Sequence, residues 1–252
     1  MADVKVTGKD LKQLRRPDEF QLVAGKVMEW LLARQRPILI GLGAAAGVAV
    51  IAWGAAAWRS HREAKAGEAL SAALQVAARP IAGEAGQPGA ETFPSKAERA
   101  KAAIASFEKV RAGHSGSMAA QTALFQIGLV KQQSGDAAGA VPHLEEFLKG
   151  AGKDNPVRAT ALEALGYAHE KAGKLDAARA AYGQIKDAGS PARAAYQLAR
   201  LALAEKRPEA KDLLAAVAKE FPKEPVAMEA NLLLEVAPLM ATSAPAPAPK
   251  GK

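Results

Sequence analysis

Four histidines, His61, His114, His143 and His169, are the imidazoles with which this chain could bind a metal or move a proton. Such a site is marked by a second imidazole four residues on along a helix face, or by a nearby set of carboxylates. Each of the four stands alone in its segment. Glu145 and Glu146 resemble a carboxylate pair for acid–base work. Neighbours on a helix point about 100° apart, however, so they read as surface charges. The chain has no Cys, which removes thiol nucleophiles, disulfides, zinc knuckles and a lipid-modified cysteine. GxSxG, P-loop and HExxH patterns are absent, and Gly41-Leu42-Gly43 lies inside an uncharged apolar run, where it is no phosphate loop. The expectation is a protein that is not an enzyme, with no cofactor and no small-molecule substrate. Binding is what remains.

The composition says which elements must carry that binding. Of 252 residues 61 are Ala, while aromatics make up only 5 %. Small helix-favouring side chains therefore dominate the apolar content, and an all-α fold is expected rather than a large sheet. The net charge is +8, from 34 Lys plus Arg against 26 Asp plus Glu. The charges are interspersed, with no basic stripe and no interleaved aromatics, so no nucleic-acid partner is expected.

One segment stands apart. From Pro37 to Trp58 the chain reads PILIGLGAAAGVAVIAWGAAAW, 22 residues without a charge, between Arg34 and Arg36 on one side and Arg59 and Arg62 on the other. At about 1.5 Å per residue it reaches about 33 Å, enough for a hydrocarbon core of about 30 Å. Trp53 and Trp58 fall at its far end, where indoles favour the headgroup region. Buried helices of soluble proteins are rarely so long without a charge. Ala55-Ala56-Ala57 fits a signal-peptidase pattern. The 36 preceding residues and the length of the run favour an uncleaved signal anchor. Gly43 and Gly47 form a GxxxG that would let two such helices approach closely, a pattern that chance also produces in so Ala-rich a span. Residues 1–36 carry 8 basic and 5 acidic residues, and the N-terminus is expected to be cytoplasmic, with the larger C-terminal part translocated.

Residues 1–17 read as a loose polar arm. From Asp18 to Arg34 the apolar residues Phe20, Val23, Val27, Trp30 and Leu31 recur at helical spacing, with a start at Pro17 or an Asp18 cap. Two readings stay open: a helix lying on anionic headgroups, or an exposed helix leading into the span. Beyond the span, helix continues to about Ala78, with Leu70 above Leu74. Residues 79–94 read as a Pro- and Gly-rich loop, and amphipathic helices follow from Ser95 to about Leu239. The tail 241–252, with its Pro-Ala alternation, is expected to be disordered.

A repeat organises those helices. Leu124-x-x-Ile127-Gly128 returns 38 residues later as Leu162-x-x-Leu165-Gly166, and the same offset takes Gly135 to Gly173, Ala140 to Ala178 and Leu144 to Tyr182. This is similar to the tetratricopeptide repeat: a large residue at position 4, Leu-Gly at 7–8, an aromatic at 11, Ala at 20, an aromatic at 24 and Pro at 32. Counted from Ala159, the second block gives Leu162, Leu165, Gly166, His169, Ala178 and Tyr182, with Pro191 next to position 32. The first block, from Gln121, departs at position 11 with Lys131. A third gives Leu198-Ala199 and, after a one-residue deletion, Ala210, Leu214, Val217 and Pro222. A half repeat upstream has Ala103, Phe107 and Val110, and residues 59–78 would supply its first helix. Small residues at positions 8 and 20 let the paired helices touch, and bulky ones fill the flanks. A last helix, roughly Pro225 to Val236, would cap the stack.

The resemblance implies a concave groove lined by positions 2, 5, 9 and 12. These fall on Thr122, Phe125, Leu129 and Gln132, on Thr160, Glu163, Tyr167 and Glu170, and on Arg193, Tyr196, Arg200 and Leu203. Phe125, Tyr167 and Tyr196 either meet an extended or helical peptide there, or pack between repeats or under the capping helix. The groove lacks a Lys/Arg/Asn clamp for a C-terminal carboxylate.

The whole arrangement resembles the bacterial YfgM-like family, ancillary to the SecYEG translocon. The likeness rests on Arg34 to Leu74, with its basic flank, Gly/Ala-rich span, Trp58-Arg59-x-His61 and Ala-rich helix, and on the repeat blocks after it. It implies a single-pass inner-membrane protein with a short cytoplasmic arm (1–36), a transmembrane helix (37–58), a membrane-proximal helix and loop (59–94) and a periplasmic repeat domain (95–240). It also implies membrane lipid around the span and protein partners that include SecYEG and periplasmic chaperones. An envelope scaffold for cell division or for polysaccharide or outer-membrane assembly is the alternative. The longer basic arm and the Pro-Ala tail depart from the family.

Overall fold

The computed structural model describes residues 19–83 and 91–242, with side chains from 25 onward and up to 237. The arm of residues 1–17, its Pro17 or Asp18 helix start, the side chains of Phe20 and Val23, and the tail beyond Thr242 lie outside the described residues. Among the described residues the fold is all helical, with no strand. The chain divides into two units, 1–61 and 62–252.

The first unit contains α1, Glu19–Ala33, and the start of α2, Gln35–Ala78, a single helix of 44 residues. Pro37 sits in the first turn of α2, where the missing N–H has no helical acceptor to lose. The apolar stretch reaches a mean hydropathy of 2.1 and none of it is buried. It is long and apolar enough to cross a membrane. A Cβ added at Gly43 or Gly47 would have open space within 4 Å.

The second unit continues from Arg62 through the C-terminal part of α2. It then runs through α3 (Lys96–Gly113), α4 (Met118–Gln133), α5 (Ala137–Gly150), α6 (Arg158–Lys171), α7 (Leu175–Gln184), a short 3₁₀ turn (Ile185–Ala188), α8 (Pro191–Ala204), α9 (Ala210–Glu220) and α10 (Pro225–Thr242). The last helix extends beyond the expected Val236, so Ala241 and Thr242 are helical, a correction to the expected tail boundary. In the segment between α2 and α3, Ile81 and Phe93 form an isolated parallel bridge.

Local chemistry sets the helix ends. Ser95 accepts from the Glu98 N–H, Ser117 from Ala120 and Asp136 from Gly139, each satisfying an orphan donor of a first turn, and Pro191 opens α8. The turn within each helix pair has one geometry. Gly135 and Gly173 adopt φ of 89° and 72°, and Lys206 holds the equivalent place at φ 58°. At all three the next N–H reaches back five residues: Asp136 to Lys131 at 2.8 Å, Lys174 to His169 at 2.9 Å and Arg207 to Ala202 at 2.9 Å. This left-handed C-terminal motif marks the third repeat even though its glycine has become lysine.

The core is distributed, as stacking requires. Ala66, Ala69, Leu70 and Ala73 of α2 pack with Ala103, Phe107 and Val110 of α3 and with Ile127 of α4, so α2 supplies the first helix of the upstream half repeat. Further clusters join α4 to α7, α6 to α8, and α8 to α10. Glycine at position 8 makes room for position 24. A Cβ on Gly128 would lie 2.7 Å from Leu144, and one on Gly166 would strike the Tyr182 ring. Ala140 and Ala178, at position 20, are fully buried.

Candidate protein-binding groove

Helices α4, α6 and α8 are the first members of successive pairs, and together they wall an open cavity of about 490 Å³. Leu129 and Gln132 come from α4, Thr160, Glu163, Ala164 and Tyr167 from α6, Gln197 and Arg200 from α8, and Tyr182 reaches in from α7. Leu129, Gln132, Thr160, Glu163, Tyr167 and Arg200 were expected here from their repeat positions. Tyr182, Gln197 and Ala164 were not. For Tyr182 the signal lay in Gly166: without a Cβ on α6, the ring lies across that helix and its hydroxyl reaches the groove floor.

The other expected positions do different work. Phe125 is 6 % exposed and packs against Phe147, ring centroids 5.3 Å apart. Tyr196 is 8 % exposed, inside the cluster shared with α9 and α10. Both rings are thus taken up by packing between helices, while Tyr167, 39 % exposed, stays open. Leu203 is partly buried in the same terminal cluster as Tyr196. The Thr122 hydroxyl donates to the Met118 carbonyl one turn back. Arg193 and Glu170 flank the cavity as ion-pair partners of its walls.

Those pairs form one chain of hydrogen bonds across three helices. Arg193 donates to Glu163 at 2.7 Å, and the Gln197 amide donates to the other Glu163 oxygen. The Gln197 oxygen accepts from Arg200 Nε at 2.8 Å. Arg200 grips Glu170 with two nitrogens, at 3.1 and 2.6 Å, and the Tyr182 hydroxyl donates to Glu170 at 3.0 Å. Burial alone would raise the Glu170 carboxyl, but Arg200 and Tyr182 hold it below its ordinary value. Burial pushes the Tyr182 phenol well up, so it stays protonated. Gln132 donates to the Ala164 carbonyl at 2.8 Å, tying α4 to α6.

The histidines do not converge. His169 is buried, and its Nδ1 has no hydrogen-bond partner. His143 is half-buried on α5, and His114 ends α3 with its carbonyl accepting from Ser117 at 2.6 Å. His61 is exposed, as are Glu145 and Glu146. Among the described residues no group of three His, Asp or Glu could hold a metal ion. Lys131, the departure at position 11, pairs its ammonium with Asp136 at 2.9 Å and so satisfies its charge at the turn.

This arrangement of paired helices around a concave wall defines a tetratricopeptide-like helical-repeat fold. Two solved structures support that assignment. Both are of a protein from Podosopora anserina described as a kinesin light chain with nearly identical TPR-like repeats. The first is 16 % identical with a TM-score of 0.52, and covers 72 % of this chain and 88 % of the other. The second is 17 % identical with a TM-score of 0.51, and covers 71 % and 88 %. At such identity the likeness shows the fold alone. No protein-family model and no curated protein matches the chain.

Proposed function

We propose that this chain is a membrane-anchored protein-binding module, held by residues 37–58 in a bacterial inner membrane with the repeats in the periplasm. The observation that carries the reading is the open cavity walled by equivalent positions of three successive repeats, in a chain whose N-terminal part holds a membrane-length apolar helix. Proteins are the partners, membrane lipid surrounds the span, and nucleic acid and small-molecule substrates are not involved. In the finer reading the module sits beside the SecYEG translocon and passes emerging proteins to periplasmic chaperones. That part rests on the resemblance of the span and its flanks. The test is co-purification of the tagged full chain after mild detergent extraction. Recovery of translocon subunits supports the reading. Recovery of cell-division or envelope-assembly proteins without translocon subunits replaces it with the scaffold alternative.

A further inference from the structure

The groove cancels its own charge, and we propose that its occupant is an uncharged, apolar segment of polypeptide. The inference rests on the protein-binding reading of that groove. Among the described residues, two charged ones line the cavity, Glu163 and Arg200. One Glu163 oxygen is taken by Arg193 and the other by Gln197. Arg200 spends its Nε on Gln197 and both terminal nitrogens on Glu170. At the adjoining rim Asp136 is paired with Lys131, while the Lys171 ammonium, 5.3 Å from the Tyr167 ring centroid, keeps its charge but is not part of the cavity lining. A charged side chain buried in the cavity would lose hydration and meet only charges that are already paired, which is costly.

What stays available is neutral. Leu129 and Ala164 form an apolar wall, and Tyr167 offers an exposed ring. The Gln132 side-chain oxygen and the Thr160 hydroxyl make no hydrogen bond among the described residues. Gln132 is already anchored through its nitrogen to Ala164, so its oxygen is held in place to accept from a peptide N–H. An extended backbone with aliphatic side chains meets each of these groups. The class of partner is an unfolded or unstructured protein segment that exposes apolar residues.

The experiment uses the full chain in lipid nanodiscs and three short rhodamine-labelled peptides, read by fluorescence anisotropy. One peptide holds Leu, Val, Ala, Gly and Ser only; the others replace Ser by Asp or by Lys. The neutral peptide is expected to bind about tenfold more tightly than either charged one. Its Kd should change less than about twofold between low and high salt, because no exposed charge pair is formed. Tyr167→Ala should weaken it. Arg193→Ala, at an exposed position, frees one Glu163 oxygen and should bring a salt-sensitive gain of about fivefold for the Lys peptide alone. Preference for a charged peptide, or strong salt dependence in the unmodified chain, overturns the neutral selectivity and leaves the groove as a binding site. Absence of binding by all three peptides, or binding unaffected by Tyr167→Ala, overturns the groove reading with it.

Discussion

Arg200 on α8 and Glu170 on α6 meet guanidinium to carboxylate through two hydrogen bonds of 3.1 and 2.6 Å, and the Tyr182 hydroxyl from α7 joins them at 2.9 Å from the guanidinium. Three helices of two repeats are thereby fixed at one point. Removing either charge leaves the other partly buried and unpaired. Arg200→Ala or Glu170→Gln should each destabilise the repeat domain by about 2 kcal/mol. Tyr182→Phe should cost about 1 kcal/mol. A double-mutant cycle by chemical unfolding should find Arg200 and Glu170 strongly coupled; additive effects would show that the contact carries no stability.

The position-8 glycines leave no space for a methyl group. Gly166→Ala pushes a Cβ into the Tyr182 ring, and Gly128→Ala meets Leu144. Alanine's better helix propensity, worth about 1 kcal/mol, should be outweighed, for a net loss of about 1–2 kcal/mol at Gly166. Gly67→Ala, also helical but in open space, should be neutral or stabilising by up to about 1 kcal/mol. Thermal unfolding of the three variants in detergent compares them directly.

Lys206 holds a left-handed conformation that Gly135 and Gly173 adopt at the same place in the preceding repeats. That conformation costs a non-glycine residue about 1 kcal/mol. Lys206→Gly should raise the unfolding midpoint, whereas Gly173→Ala should lower it. An unchanged or lowered midpoint for Lys206→Gly would show that the turn is not strained.

His169 links stability to pH. Burial lowers its pKa below the ordinary value near 6.5, so the folded state favours the neutral ring. The unfolded chain then binds more protons than the folded one as pH falls below that value. Stability should be full above about pH 6.5 and decline below it. Glu145 and Lys174, the charged groups that act on this ring, have opposing effects smaller than that of burial. His143 is lowered by burial too, so a residual slope is expected. Glu170, held low by Arg200, contributes its loss only below about pH 4.5, which keeps the two effects apart. His169→Phe should flatten the dependence between pH 7 and 5 measured as unfolding midpoints; an unchanged slope would exclude His169 as its source.

Topology follows from the proposed anchor. A reporter active only in an oxidising compartment should work when fused after Leu239 and fail when fused near Lys12. The reverse pattern would place the repeats in the cytoplasm.

Much of this was legible in the residues. The uncharged run from Pro37 to Trp58 shows in composition alone, because membrane-length helices need nothing but length and apolarity. The helix pairs show in the spacing of Leu124, Gly128, Ala140 and Leu144 and its return at Leu162, Gly166, Ala178 and Tyr182, because a repeat writes its contacts at fixed offsets. The third repeat was harder to see: its turn glycine is Lys206, and only the backbone conformation reveals the equivalence.

The groove divides the same way. Repeat position alone picked out Leu129, Gln132, Thr160, Glu163, Tyr167 and Arg200, since one face of each first helix turns toward the concave side. It could not separate Tyr167, which stays open, from Phe125 and Tyr196, which fill gaps between helices. Nor did it show that Glu163 is paired with Arg193 and Gln197, and Arg200 with Glu170 and Tyr182, residues 18 to 34 positions away in sequence. Sequence periodicity fixes which face a residue occupies. Whether that face is open, filled or electrically neutral depends on how neighbouring repeats are rotated against one another, and only the tertiary packing decides that.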